Sequence, residues 1–271
     1  MNITKMQGLG NDFIIIEDEK GIDLSGLSKR LCTRRLNIGA DGIIVVCKSD
    51  KADTRMRIIN ADGSEAEMCG NGIRCFARYV YDRGIVSSKV MTVETLAGIM
   101  SPEIVEEAGQ TLVKVDMGSP YFDREKIPMI GTGSALCTNI DVDRRDIEVS
   151  SLLMGVPHTM IFRDEISDEE VCELGPKIET NKAYPRKTNV NFVKIIDNRT
   201  IHVRTWERGA GLTLACGTGS CASVVASSIL GKTGREVDVM LSAGKLHINY
   251  EQENKVFMTG NAEYVFEGRT L

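Results

Sequence analysis

Two cysteines in this chain head near-copies of one corner: MCGNGIRC at residues 68–75 and ACGTGSC at 215–221. Each reads Cys-Gly-x-Gly and runs into a helical pattern. A helix start has N–H groups with no partner inside the helix and the positive end of the macrodipole, so it attracts anions. Glycine there allows close approach of a ligand to the backbone. A cysteine at the same point has its thiolate stabilised, which draws its pKa from about 8.5 towards neutrality. One such corner reads equally as a phosphate loop, a nucleophile or a redox thiol. Two corners facing each other permit more. Both helix ends can grip one carboxylate while the sulfurs stand on opposite faces of the adjoining carbon. A thiolate would then remove the α-proton and a thiol would return one from the far side, which inverts the stereocentre. Two cysteines packed in tight turns would leave the same trace in the sequence.

The flanks add candidates. Glu207 and Arg208 lead into the second corner through a glycine-rich stretch, and Asn60 and Asp62 lead into the first. An acid and a base beside such a loop suit the ammonium and carboxylate of an amino acid, although an exposed ion pair reads the same way. His158 follows a proline and precedes a β-like run, TMIF. It is either a packing residue or part of the site.

These residues need elements to hold them. Six β-branched runs read as strands: DFIIIED (12–18), GIIVVC (42–47), TRMRIIN (54–60), TLVKVDM (111–117), NFVKII (191–196) and TIHVRTW (200–206). Helices are expected over 24–35, over 167–179 behind a Ser167/Glu170 capping box, and after each Cys-Gly corner. In the third of these Ile73, Phe76, Ala77 and Val80 share a face and Gly84 can end the helix. In the fourth, Ala, Ser and Val suit tight enclosure by strands, with Gly231 as the stop.

A single offset of 147 residues carries Cys69 to Cys216, Gly70 to Gly217, Gly72 to Gly219 and Asn60 to Glu207. It also carries ADGIIVV (40–46) onto KTNVNFV (187–193), matching Gly42 to Asn189, and Asn11 to His158. Such agreement points to duplication. The expected fold is α/β (α+β), with two pseudo-symmetric domains, each a mixed β-sheet wrapped around a central helix. Residues 1–117, joined by 262–271, make the first half, and 118–261 make the second.

At 271 residues, 42% apolar and 26% charged, the chain can build its core without disulfides or metal. A net charge of −5 with scattered Lys and Arg argues against nucleic acid and membrane surfaces as partners. No stretch has the length of a signal-peptide core or a membrane span, so a cytoplasmic location with reduced thiols is expected. The eight cysteines contain no C-x-x-C, and His158, His202 and His247 stand apart, so no metal site is expected.

Over its whole length the sequence resembles the diaminopimelate epimerase family. The carrying motifs are MQGLGNDFIIIE, IGADGIIVV, RIINADGSEAEMCGNGIRCFARYV, GVPHTMIF, TNVNFV, WERGAGLTLACGTGSCASVVAS and TGNAEYVFEG. The resemblance implies an epimerase without pyridoxal phosphate or any other cofactor, interconverting LL- and meso-diaminopimelate in lysine and peptidoglycan synthesis. It implies a homodimer whose partner is otherwise only the small amino-acid substrate. It makes Cys69 and Cys216 the acid/base thiols, assisted by His158 and Glu207 respectively. Gly70, Asn71, Gly217 and Thr218 would bind the reacting carboxylate, with Asn11 at the same end. Asn60, Asn189, Glu207 and Arg208 would read the amino and carboxylate groups, Arg208 as a fork for the distal carboxylate. Val156 stands where the family has an asparagine contacting the distal end, which leaves a racemase of another amino acid as the same-fold alternative. Gly42 stands where some members have glutamine. A thiol redox protein is the remaining alternative, and the lack of C-x-x-C speaks against it.

Overall fold

The computed structural model describes residues 1–17, 21–107 and 109–270. The chain divides into two compact units, Met1–Asp116 with Thr259–Leu271, and Met117–Met258.

The first unit contains β1 (Asn2–Gly8), β2 (Asn11–Glu17), α1 (Leu24–Leu31), β3 (Gly42–Cys47), β4 (Thr54–Asn60), β5 (Glu65–Ala66) and α2 (Gly70–Asp82). It continues through β6 (Val93–Thr95), β7 (Gly98–Met100), β8 (Glu103–Glu107) and β9 (Gln110–Asp116). The second contains β10 (Thr138–Val142), β11 (Arg145–Met154), β12 (Val156–Phe162), α3 (Asp168–Glu179), β13 (Asn189–Asp197), β14 (Thr200–Glu207) and β15 (Gly211–Thr213). It continues through α4 (Gly217–Ile229), β16 (Glu236–Leu241), β17 (Gly244–Tyr250) and β18 (Val256–Asn261), before β19 (Glu263–Arg269) returns to the first unit.

The sheet orders reveal the duplication directly. The first unit runs β1-β2-β3-β4-β6-β7, with β19 beside β1 and β5 beside β4. The second runs β11-β12-β13-β14-β16-β17, with β15 beside β14. Pair by pair the sense is the same: antiparallel, parallel, antiparallel, parallel, antiparallel. The registers agree residue for residue in the middle of each unit. Ile44 faces Ile58 as Asn191 faces Thr205, and Ile59 faces Glu65 as Trp206 faces Leu212. Helices α2 and α4 begin and end at the expected offset.

The offset slips by one residue at β1 and at β6, and by two at β2. Phe13 lies opposite Gly42, whereas His158 lies opposite Asn189. In the sheets, therefore, His158 corresponds to Phe13, and Asn11 corresponds to Val156. The connection between β2 and β3 is two residues shorter than that between β12 and β13, and this difference produces the slip of two. The alignment of Asn11 with His158 is thereby corrected.

Each sheet is covered on both faces. In the first unit Ile14, Ile16, Ile43, Val45 and Ile59 pack with Leu27 and Leu31 of α1. In the second, Ile161, Val190 and Phe192 pack with Val171 and Ile178 of α3. The opposite faces hold the central helices, as Ile44 and Ile58 beside Gly72 illustrate. Of the α4 residues, Gly219 to Ser227 are all buried. Its three buried serines are satisfied within the helix, Ser220, Ser223 and Ser227 donating to the carbonyls of Cys216, Gly219 and Ser223 at 2.9, 2.7 and 2.7 Å.

Two helix expectations need adjustment. Helix α1 stops at Leu31 rather than 35, because Thr33–Leu36 are exposed, offer no apolar face to the sheet, and turn through a positive φ at Arg35. In the capping box, Ser167 accepts from Glu170 N, but the Glu170 carboxylate engages Arg163 at 2.7 Å. The predicted strands appear at 11–17, 42–47, 54–60, 110–116, 189–197 and 200–207. Asp18, which closed the first predicted run, lies outside the described residues.

Candidate active site

Each unit builds one corner from a strand end and the first turn of its central helix. In the first unit Cys69 is the N-cap of α2, with extended backbone, and its sulfur accepts from Gly72 N at 3.4 Å. Gly70 and Asn71 form the opening turn. Asn11, at the start of β2, turns its Oδ1 to the Cys69 sulfur and to Asn71 Nδ2, both at 3.4 Å. Its Nδ2 is held by Asp41 at 2.7 Å, and Asp41 in turn takes Arg34 at 2.9 Å. Asn60 closes β4 and donates to Ser64 Oγ at 2.9 Å, so it belongs to the turn leading into the corner. The buried Asn71 Oδ1 has no hydrogen-bond partner among the described residues.

In the second unit Cys216 is the N-cap of α4, its sulfur accepting from Gly219 N at 3.4 Å and lying 3.5 Å from Thr218 Oγ1. Gly217 and Thr218 form the opening turn. Glu207, at the end of β14, accepts from Thr213 at 2.6 Å and from the Cys216 thiol. Asn189, at the start of β13, accepts from Arg208 N at 2.9 Å and donates to Pro157 O at 2.9 Å. It thus ties β12, β13 and the residue after β14 together. Arg208 is exposed, with one guanidinium nitrogen on the Arg186 carbonyl at 3.0 Å. His158 is fully buried in β12.

Electrostatics at Cys216 run against the simple helix-end expectation. Burial first, and the adjacent Glu207 charge second, push this thiol well above its ordinary value. The Gly219 N–H and Thr218 hydroxyl oppose that rise without overcoming it. Glu207 itself is raised by burial. Cys216 therefore rests as a thiol hydrogen-bonded to the Glu207 carboxylate. Cys75 and Cys221 lie inside the helices and are buried, and burial drives Cys75 up to about 12, as suits packing residues.

A family model for diaminopimelate epimerase matches residues 3–122 and 150–265. The chain belongs to the diaminopimelate epimerase family. It is 52% identical over 270 residues to a diaminopimelate epimerase of Caldanaerobacter subterraneus subsp. tengcongensis, covering 99% of this chain and 98% of that one. It is 47% identical to one from Moorella thermoacetica over 274 residues, with the same coverages. Among solved structures, a PhzF-family phenazine biosynthesis protein of Bacillus anthracis shares the fold, with a TM-score of 0.74 at 19% identity, covering 100% of this chain and 99% of that one. A hydroxyproline epimerase from Agrobacterium vitis does so at 0.69 and 13%, with coverages of 99% and 91%.

Within this diaminopimelate epimerase family member, each unit gathers its own set. Asn11, Cys69, Gly70 and Asn71 meet in the first unit, with Asn60 one turn away. Glu207, Cys216, Gly217 and Thr218 meet in the second, with Asn189 and Arg208 joined beside them. Four further residues lie outside the motif reading: Asp41 holds Asn11 and Thr213 donates to Glu207, while Asn191 meets the buried His158 and Thr205 donates to Asn191. Asn191 had a signal, since Asn189 and Asn191 fall on one face of a strand in TNVNFV. Among the described residues no helix is long and apolar enough to cross a membrane.

Proposed function

We propose that the chain interconverts LL- and meso-diaminopimelate by a two-thiol proton transfer, a step of lysine and peptidoglycan-precursor synthesis. The observation that carries the reading is the pair of equivalent cysteine N-caps, one per unit, each opening a buried helix. The reaction uses both corners on one substrate α-carbon. Helix-end N–H groups at Gly70, Asn71, Gly217 and Thr218 stabilise the charge that develops on the carboxylate as the α-proton leaves. When Cys216 is the base, Glu207 takes its proton first, and the thiolate then abstracts from carbon. Cys69 delivers a proton to the other face as a thiol. In the reverse direction the roles exchange, and His158 assists Cys69. Asn11 holds the reacting end, while Asn60, Asn189, Glu207 and Arg208 read the amino and carboxylate groups.

This chemistry calls on no cofactor or metal. It needs reduced thiols, which supports a cytoplasmic location, and we assign a homodimer as the working form, as the family resemblance implies. A small amino acid is the substrate, with no role for nucleic acid or membrane.

Val156 supports one second reading. It opens β12 and offers no hydrogen bond, so a racemase of an amino acid lacking a polar distal end fits the same corners. Proton exchange in D₂O separates the two. Deuterium entering the α-position of LL-diaminopimelate, with Cys69→Ala and Cys216→Ala each inactive but folded, is the expected result. Exchange confined to another amino acid in a panel would overturn it.

A further inference from the structure

The duplication supplies an internal comparison for one buried cluster. Where the first unit places Phe13, Ile44 and Ile58, the second places His158, Asn191 and Thr205. The first trio is apolar and buried; the second is polar and equally buried. Ile44 packs on Gly72, and Asn191 packs on Gly219, so the positions match in space within each unit as well as in register. Buried polar groups cost desolvation free energy that an apolar trio avoids. Three such groups in one half alone call for a reason.

Their hydrogen bonds supply it. Asn191 Oδ1 accepts from Thr205 Oγ1 at 3.0 Å. Its Nδ2 lies 3.2 Å from His158 Nδ1 and 3.5 Å from the carbonyl of Thr159. A carbonyl only accepts, so the amide nitrogen must be on that side, and the amide orientation is fixed by the network. A methyl on Gly219 would overlap Asn191 Oδ1, so the amide is also clamped from the helix side. With Nδ1 accepting, a neutral imidazole has its proton on Nε2. That Nε2 is buried and has no hydrogen-bond partner among the described residues.

We infer that Asn191, held by Thr205 and Gly219, is a positioning residue that keeps His158 as the neutral Nε2–H tautomer, so that His158 serves as a hydrogen-bond donor and not as a base. The inference deepens the proposed function and rests on it only for the part His158 plays in turnover. An Nε2–H donor stabilises a thiolate or a charged substrate oxygen without exchanging its own proton. The depressed basicity of His158, caused by burial and then by the Arg208 charge, agrees with a ring that stays neutral.

The test is the two-bond ¹⁵N–¹H correlation spectrum of the histidine-labelled enzyme at pH 7, with His158 assigned by its loss in His158→Gln. The expected pattern is protonated Nε2 and bare Nδ1; a protonated Nδ1 in the native enzyme overturns the inference. Asn191→Asp offers an acceptor to Nδ1 and should move the proton there, with kcat down about tenfold or more and KM within about twofold. Should that variant not fold, Thr205→Val releases the amide and should give a mixed pattern with a smaller loss of kcat. Either folded variant keeping the native pattern counts against the assignment. Full activity in His158→Gln would sink the catalytic part alone, while the tautomer result would stand.

Discussion

Asn11 presents its carbonyl oxygen, not its amide nitrogen, to the sulfur of Cys69 at 3.4 Å, because Asp41 holds the nitrogen at 2.7 Å. An acceptor facing sulfur favours S–H over thiolate. Replacing Asn11 by leucine removes the acceptor without setting a second carboxylate against Asp41, and should ease ionisation of Cys69. Alkylation of the Cys69 peptide by iodoacetamide at neutral pH should quicken several-fold, with turnover falling about tenfold or more. An unchanged alkylation rate would show that the two groups do not sense each other.

Glu207 and Cys216 make the complementary case. The carboxylate charge is one cause of the raised thiol, after burial. Glu207→Gln removes the charge and should bring the thiol down, so that Cys216 is alkylated faster near pH 8. Epimerisation should nonetheless fall by about 10²–10⁴, since the group that takes the thiol proton is gone. Faster alkylation together with full turnover would remove Glu207 from the mechanism.

Acid stability should report the buried histidine. Burial, then Arg208, carry His158 from 6.5 down to about 3. A base lowered by folding keeps its full stability above 6.5 and loses it as pH falls through that window. The slope approaches about 1.4 kcal/mol per pH unit, so roughly 2 kcal/mol is lost between pH 7 and 5. Urea titrations at both pH values should show His158→Asn losing less than the native chain by about that amount. Equal losses would mean that the ring is protonated or hydrated in the fold.

The two corner glycines should respond unequally. A methyl at Gly72 would sit 3.3 Å from Cys69 Cβ and 3.5 Å from Ile44 and Ile58, contacts that need little adjustment. At Gly219 it would overlap Asn191 and lie 3.2 Å from the Cys216 sulfur. Gly72→Ala should stay within about 1 kcal/mol of native stability, whereas Gly219→Ala should cost about 1–3 kcal/mol and impair turnover. Parallel denaturation curves decide; equal costs would argue against the clamp on Asn191.

The two cysteine corners were legible because their signal is local: cysteine, two glycines and an apolar helical face within a dozen residues. The strands bearing Asn60, Asn189 and Glu207 were legible through β-branched runs. Strand pairing was not, and it decides which buried side chains meet. Asn191 reaches His158 only because β12 and β13 run parallel, and it reaches Thr205 only because β14 lies on the other side. The Gly-Asn opening of α2 is visible in the sequence, whereas the Asp41 contact that orients Asn11 depends on the loop before β3. The rise in the Cys216 thiol was also hidden, since helix-end chemistry is a local rule and burial is a tertiary fact.

The connection ahead of β13 is longer than its counterpart by an even number of residues. The two added residues lie in the connection and leave the strands in step: His158 stands against Asn189 as Phe13 stands against Gly42. Connection length and strand register are thus set separately. The helix-side layer keeps its places in both halves while its chemistry changes from apolar to polar.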